Sequence, residues 1–161
     1  MKPGEKVWVN IYAGENDRNG VLTIGAMLDR QGIYVTYAAC SPKDRFSKKK
    51  ASMIVSGRLA IAVQNRESPC FAGRGALVCG NDSALMPENS KAWFIPFENK
   101  IEVEYRSEVL YQAVKLIHDK MAKDEFTLGW FRRSSLIGRN TPGILFYGMG
   151  KILRRHEDSF K

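Results

Sequence analysis

Between positions 41 and 65 the chain reads SPKDRFSKKKASMIVSGRLAIAVQN. Pro42 disfavours helical geometry at the residue before it, so this segment begins with a turn. Asp44 or Ser47 is then the predicted helix N-cap, because either side chain can accept hydrogen bonds from the amides of the first turn. Gly57 predicts either an early helix end or the close approach of another backbone. Apolar residues at spacings of three and four indicate one buried helix face: Ala51, Ile54, Val55, Leu59, Ala62 and Val63.

Three consecutive cations, Lys48, Lys49 and Lys50, stand in the first turn of this predicted helix. A helix N-terminus carries a partial positive charge, so each cation there is unfavourable by roughly a few tenths of a kcal/mol. Exposed amides, the helix dipole and the ammonium groups together predict a site for an anion. In the alternative interpretation, the lysine side chains simply extend into water, where salt screens their charges.

The segment SPKDRFSKKK, followed by Gly57-Arg58-Leu59, resembles a segment of small bacteriophage and mobile-element proteins. The resemblance covers about twenty residues, 41–59. It implies a phage origin, and it carries over no catalytic residue.

The length and composition are typical of one folded domain, predicted to span residues 1–161. An apolar fraction of 44% is that of a globular protein. The chain has no run of about eighteen apolar residues, which predicts no transmembrane helix. Its first residues lack a secretory signal, so we expect a cytoplasmic protein, in the host cytoplasm if it is phage-encoded. The three cysteines, Cys40, Cys70 and Cys79, are then expected to be reduced.

The net charge of +8 is concentrated in two segments. Residues 41–60 hold six Lys or Arg and one acid, and residues 130–161 hold seven Lys or Arg and two acids. The rest of the chain is slightly acidic. Clustered basic residues of this kind are typical of nucleic-acid-binding proteins, although membrane surfaces and acidic proteins also attract them.

The first forty residues predict a three-stranded antiparallel meander. Val7, Val9 and Ile11 alternate with polar or aromatic residues, which is strand spacing. Residues 21–28 predict a second strand, with a short helix as the alternative. Residues 33–40 are rich in β-branched and aromatic side chains and predict a third strand. The 41–65 helix is expected to cover one face of this sheet.

The second half of the chain predicts further strands and one long helix. Residues 76–79, 92–97 and 101–106 are strand candidates, and the last two read as a hairpin. Residues 107–123 predict a helix with Ser107 as its N-cap. The overall prediction is a single α+β domain, an antiparallel sheet packed by two main helices.

The C-terminal region predicts a turn at residues 140–143 and a short strand or buried run at 144–147. The polar tail from His156 onward is expected to fray.

Catalytic and metal-binding patterns are not evident in the sequence. Gly148-Met149-Gly150-Lys151 lacks the earlier glycine and the following Ser or Thr of a phosphate loop. Ser47 and Lys50 fit the spacing of serine–lysine acylases, but the accompanying motifs are absent. A zinc site built from the three cysteines and a histidine matches no usual ligand spacing. We therefore expect no cofactor and no metal, and the chain is more simply read as a non-enzyme.

The first functional hypothesis is a small basic nucleic-acid-binding protein of a phage, with DNA binding and transcription regulation as its expected roles. Its cations would contact phosphates, and Trp130 or Phe131 would stack on a base, with core packing as the alternative for both rings. The candidate nucleic-acid-binding residues are Lys48, Lys49, Lys50, Arg58, Trp130, Arg132, Arg133, Arg139, Lys151, Arg154 and Arg155.

A second hypothesis is a protein-binding inhibitor or adaptor that docks on a host polymerase, nuclease or defence protein. A third is an enzyme that acts on a nucleotide or phosphorylated ligand, in which Ser47 or Lys50 would matter for activity. The sequence does not decide between DNA and RNA, between single and double strands, or between oligomeric states. It also leaves open whether the two basic segments share one face.

Overall fold

A computed structural model describes residues 1–12, 20–40, 45–67, 84–85, 92–97, 105–122 and 141–159. The elements in chain order are β1 (Lys6–Tyr12), β2 (Val21–Leu28), β3 (Gly32–Cys40), α1 (Lys48–Glu67), β4 (Ala84–Leu85), β5 (Ala92–Pro96), α2 (Arg106–Ala122) and α3 (Thr141–Asp158). No helix within these ranges has the length and apolar character needed to cross a membrane.

The strands form one antiparallel sheet in the order β1-β2-β3-β5-β4. Tyr12 pairs with Val21, and Leu28 pairs with Ile33, so the first three strands are a continuous meander. This confirms the predicted meander, and it places β1 at one edge of the sheet. Gly20 enters β2 with a φ of 103°, a conformation that glycine adopts without steric cost.

Strand β2 is buried at all eight positions because helices cover both of its faces. Its even-numbered residues, such as Leu22 and Ile24, belong to one hydrophobic cluster, and Met27 belongs to the other. A strand buried on both sides shows a continuous apolar run rather than alternation. For this reason the sequence of β2 also fitted a short helix.

Helix α1 covers one face of the sheet, as predicted. Val55, Leu59 and Ala62 are fully buried and pack with Tyr34 and Phe94. The helix continues through Gly57 to Glu67, and nothing lies within 4 Å of a Cβ built at position 57. Both interpretations of Gly57 were therefore wrong, because the helix neither ends there nor meets another backbone.

Helices α2 and α3 cover the opposite face. Val109 and Ile117 of α2 and Leu145 and Met149 of α3 are fully buried against the cluster that contains Ile24. The α+β class is confirmed. The sheet carries three long helices instead of the two expected.

The C-terminal part of α3 is held against α2. The Tyr111 hydroxyl donates a hydrogen bond of 2.8 Å to Glu157 Oε1, and the Tyr111 ring stacks on His156 at 4.4 Å. The hydrogen bond to Glu157, with smaller contributions from burial and nearby carboxylates, raises the pKa of Tyr111. The expectation of a frayed tail from His156 was wrong, because the helix extends to Asp158.

The boundaries of α2 and α3 correct four further predictions. Thr141 begins α3, so the predicted turn at 140–143 and the strand option at 144–147 were wrong where they overlap the helix. Arg106 begins α2 rather than ending a strand. The Tyr105 carbonyl accepts a hydrogen bond from the Glu108 amide (3.1 Å), so Ser107 lies inside the helix and is not its N-cap. The strand candidates at 76–79 and 101–104 lie outside the described residues.

Candidate functional site

The first turn of α1 is capped by Ser47. Its Oγ accepts a hydrogen bond from the Lys50 amide (3.2 Å), and its carbonyl accepts one from the Ala51 amide (2.9 Å). Of the two predicted caps, Ser47 is therefore the one the structure supports, whereas Asp44 lies outside the described residues. The cap fixes where the helix begins, and it places three lysines in succession immediately after that point.

Four cations surround this helix start. Arg45, Lys48, Lys49 and Lys50 are all exposed, and the first turn contains no acidic residue. We call these four residues the α1 cationic surface. The described part of the chain shows no ion pair to any of them. The positive end of the helix dipole is therefore reinforced by side chains instead of being neutralised.

A cleft of about 430 Å³ opens between this helix start and the sheet. Thr23 and Cys40 line it from the sheet, and Phe46, Ser47 and Lys50 line it from the helix side. Its lining is mainly apolar, and Arg45, Ser47 and Lys50 are the polar residues on the helix side. The cleft can hold an apolar or aromatic group whose anionic substituent faces the lysines.

The outward face of β1 continues from this cleft along the edge of the sheet. Trp8 and Tyr12 point to the side of the sheet on which α1 lies, and they are 45% and 36% exposed. The Tyr12 ring meets the Phe46 ring edge-on at 5.9 Å. Between the two exposed aromatics, Asn10 Oδ1 accepts a hydrogen bond of 2.7 Å from the Thr23 hydroxyl. The strand face and the α1 cationic surface are thus contiguous through Phe46.

The sequence analysis did not identify this strand face as a functional surface. The signal was present in the alternation of β1, because the residues opposite the buried Val7 and Ile11 include two large aromatics. The alternation could not show the path of α1, which packs over β2, β3 and β5, while Trp8 and Tyr12 of β1 stay exposed.

Arg58 has a structural environment that differs from that of the lysines. Its Nη1 donates a hydrogen bond to the Tyr37 carbonyl, and its guanidinium lies 5.5 Å from the centre of the Tyr37 ring. Partial burial lowers the pKa of Arg58, and the nearby Tyr37 acts in the opposite direction. The contact of Arg58 with phosphate stays a prediction. Its hydrogen bond to the Tyr37 carbonyl shows that the side chain also links α1 to β3.

The basic residues of α3 lie on the other side of the sheet. Lys151, Arg154 and Arg155 are exposed, while Leu145, Met149 and Leu153 of the same helix face the cluster opposite α1. Lys151 Nζ and Arg154 Cζ lie 4.9 Å and 5.8 Å from the centre of the Tyr147 ring. The structure therefore does not bring the α3 cations together with the α1 cationic surface.

The remaining predicted contacts, Trp130, Arg132, Arg133 and Arg139, lie outside the described residues. The same is true of Phe131, the alternative stacking residue.

Histidine, cysteine and acidic side chains are the potential metal ligands of this chain. Within the ranges that the structure describes, no group of three or more such side chains is arranged to hold a metal ion. Cys70 and Cys79, which the zinc alternative required, lie outside those ranges. His118 Nδ1 is 3.9 Å from the Asp119 carboxylate, and His156 stacks on Tyr111.

No protein-family model, no curated protein and no solved structure matches this chain.

Proposed function

We propose that this chain binds nucleic acid through the α1 cationic surface. The observation that supports this proposal is the cluster of Arg45, Lys48, Lys49 and Lys50, all exposed, at a helix start whose first turn contains no acid. A phosphate placed there is attracted by the side chains and by the helix dipole together.

The unfavourable electrostatics of the α1 helix start in the free protein also favour the binding of an anion. Each lysine in the first turn opposes the dipole, so the unliganded helix start is electrostatically unfavourable. A chain of phosphates neutralises several cations at once and releases the counterions condensed on the nucleic acid. Affinity for such a ligand must therefore fall steeply as salt is added.

The test is a titration of a labelled random-sequence 20-nucleotide strand and of its duplex, followed by fluorescence anisotropy at 50 and 200 mM salt. If three lysines contact phosphates, we expect the affinity to fall about 20- to 40-fold between the two salt concentrations. The triple variant Lys48→Gln, Lys49→Gln, Lys50→Gln should lose most of this binding and of its salt dependence.

The α3 helix supplies a control with the same change in charge. A variant with Lys151→Gln, Arg154→Gln and Arg155→Gln also loses three positive charges, but from the opposite face of the sheet. It should retain the binding of the unmodified protein. Binding that is insensitive to salt, or lost only in the α3 variant, would contradict the proposal.

A second candidate function, the protein-binding adaptor or inhibitor, is favoured by the outer surface of α1. Met53 and Ile61 are 65% and 50% exposed, and Ile54 is 37% exposed. Exposed apolar side chains at helical spacing are typical of a surface that docks on a protein. This candidate predicts that Met53→Lys with Ile61→Lys abolishes capture of a host protein, in a chain that shows no salt-dependent oligonucleotide binding. A phage origin stays a prediction under either candidate.

A further inference from the structure

The side chains on the outward face of the edge strand β1 differ from those of an ordinary solvent-exposed strand. Its outward residues are Lys6, Trp8, Asn10 and Tyr12, so basic, aromatic and amide side chains alternate with the buried Val7 and Ile11 and the partly buried Val9. None of these outward residues is acidic. The nearby Glu5 carboxylate is paired instead with Arg106 at the start of α2, at 3.9 Å.

The two aromatic rings are exposed although α1 lies on the same side of the sheet. Val55, Leu59 and Ala62 of α1 pack over β2, β3 and β5, so among the described elements α1 does not cover β1. Trp8 retains 45% exposure, and large aromatic side chains are usually buried because their area contributes strongly to folding. An exposed tryptophan next to a cationic surface offers a ring face on which another flat group can stack.

The dimensions of this face suit a strand of nucleotides. Trp8 and Tyr12 are four residues apart on one strand, which corresponds to roughly 14 Å. Tyr12 contacts Phe46 at 5.9 Å, and Phe46 precedes the capping Ser47 and the first lysine of α1. One line of groups therefore runs along β1. It starts at Lys6, passes the two aromatic rings and ends at the α1 cationic surface.

We propose that the outward face of β1 is a base-stacking platform, and that the ligand of the α1 cationic surface is single-stranded nucleic acid. This inference rests on the proposed nucleic-acid-binding function and specifies its ligand. In a duplex the bases are already stacked on one another, so they offer no free ring face to Trp8. In a single strand the bases can turn toward the protein while phosphates contact the lysines.

Asn10 adds a polar group to this platform. Its Oδ1 is engaged by the Thr23 hydroxyl, so the group that it can offer to a ligand is the amide N–H. An amide donor between two stacking rings can bond a base carbonyl without selecting a particular sequence strongly.

The experiment compares a labelled 20-nucleotide thymidine strand with a 20-base-pair duplex by anisotropy at one salt concentration. The single strand should bind at least about tenfold more tightly. Trp8→Ala should weaken single-strand binding by about tenfold, since stacking on one ring contributes that much, and it should leave the salt dependence unchanged. Trp8→Phe, which keeps a ring, should stay within about threefold of the unmodified protein.

Tyr147→Ala is the matched control. Tyr147 is 57% exposed and lies next to Lys151 and Arg154, but on a helix that packs on the side of the sheet opposite Trp8. Its removal should leave single-strand affinity unchanged. If it weakens binding and Trp8→Ala does not, the platform is on α3 and the proposal for β1 is wrong.

A second measurement does not depend on the folding of Trp8→Ala. The tryptophan fluorescence of the unmodified protein should be quenched when the thymidine strand is added, and this quenching should be largely absent in Trp8→Phe. Equal quenching in both proteins would overturn the assignment of Trp8.

The two proposals can fail separately. Equal affinity for duplex and single strand would overturn the stacking proposal, whereas salt-dependent binding to both would still support the proposed function. If the unmodified protein shows no salt-dependent binding to either the single strand or the duplex, the proposed function itself is wrong.

Discussion

Gly25 of β2 lies directly beneath Val55 of α1. A Cβ atom built at position 25 would overlap Cγ1 of Val55, so only glycine allows the helix to pack this closely on the sheet. Val55 is fully buried there, next to Leu59 and Phe94. This close contact fixes the distance between α1 and the sheet. It thereby also fixes the position of the α1 cationic surface beside β1.

Gly25→Ala should therefore destabilise the protein, by about 1–3 kcal/mol, because the added methyl group overpacks the contact with Val55. Gly57→Ala is the control: Gly57 lies in α1 itself, with open space around it, and the substitution should stabilise α1 by about 0.5–1 kcal/mol. Urea unfolding followed by circular dichroism measures both. In a Val55→Ala background the cost of Gly25→Ala should shrink. Similar effects of the two glycine substitutions would refute the contact.

Ser47→Ala should lower the free energy of unfolding by about 1 kcal/mol, because the Lys50 amide loses its hydrogen-bond acceptor. Ser47→Asn should restore most of the loss. Ser52→Ala is a suitable control, since Ser52 Oγ only donates to the Lys49 carbonyl within the helix (2.8 Å). Equal costs for Ser47→Ala and Ser52→Ala in urea unfolding would argue against the cap.

Lys48→Glu should change stability and binding in opposite directions. An acid in the first turn interacts favourably with the helix dipole, so the melting temperature should rise, by the equivalent of about 0.5–1 kcal/mol at low salt. The same substitution should weaken oligonucleotide binding because it removes a cation and adds a repulsive charge. Calorimetry and anisotropy on one preparation measure the two effects. Lys151→Glu, in the middle of α3, should show no such gain in stability, and a lower melting temperature for Lys48→Glu would contradict the prediction.

Tyr37 should make the protein less stable at alkaline pH. Burial raises the pKa of Tyr37 above its ordinary value of 10.0, although the Arg58 charge acts against this shift. The folded protein therefore keeps the phenol proton at a pH where the unfolded chain releases it. This contribution to stability is complete below pH 10 and is lost as the pH rises toward the raised pKa.

The variant Tyr37→Phe has no phenol to titrate and should lack this part of the alkaline decline. The free energy of unfolding of both proteins is measured in urea from pH 7 to pH 11. Their difference should be constant up to about pH 9 and then shift in favour of the variant. A difference that stays constant over the whole range would show that burial does not raise the pKa of Tyr37.

Several of the elements that the sequence predicted well have neighbours in space that are also neighbours in the chain. The meander of β1, β2 and β3 is joined by short connections, and α1 follows directly with its cap at Ser47. By contrast, α3 was missed because Gly148 and Gly150 are poor helix residues, and packing against α2 and β1 compensates for them. Pro142 predicted a turn, but it lies in the first turn of the helix, where proline is tolerated. Tertiary contacts such as Tyr111 with Glu157 have no local sequence signal.

The candidate site could be predicted only in part. The α1 lysines were evident as a charge cluster at a capped helix start. Their separation from Lys151 and Arg154 was not, because it depends on which face of the sheet each helix covers. The exposure of Trp8 also depends on which face each helix covers. The alternation of β1 shows on which side of the strand Trp8 lies, but it does not show whether a helix packs over that side.

The order of elements along the chain has a consequence for the nascent protein. The strands β1 to β3 and α1 are complete by Glu67, whereas the helices that cover the second face begin at Arg106 and end at Asp158. Until they emerge from the ribosome, on the order of ten seconds later, Leu22, Ile24 and Val35 face solvent on an otherwise assembled sheet. Premature termination after α1 would therefore release a fragment that aggregates through that bare apolar face.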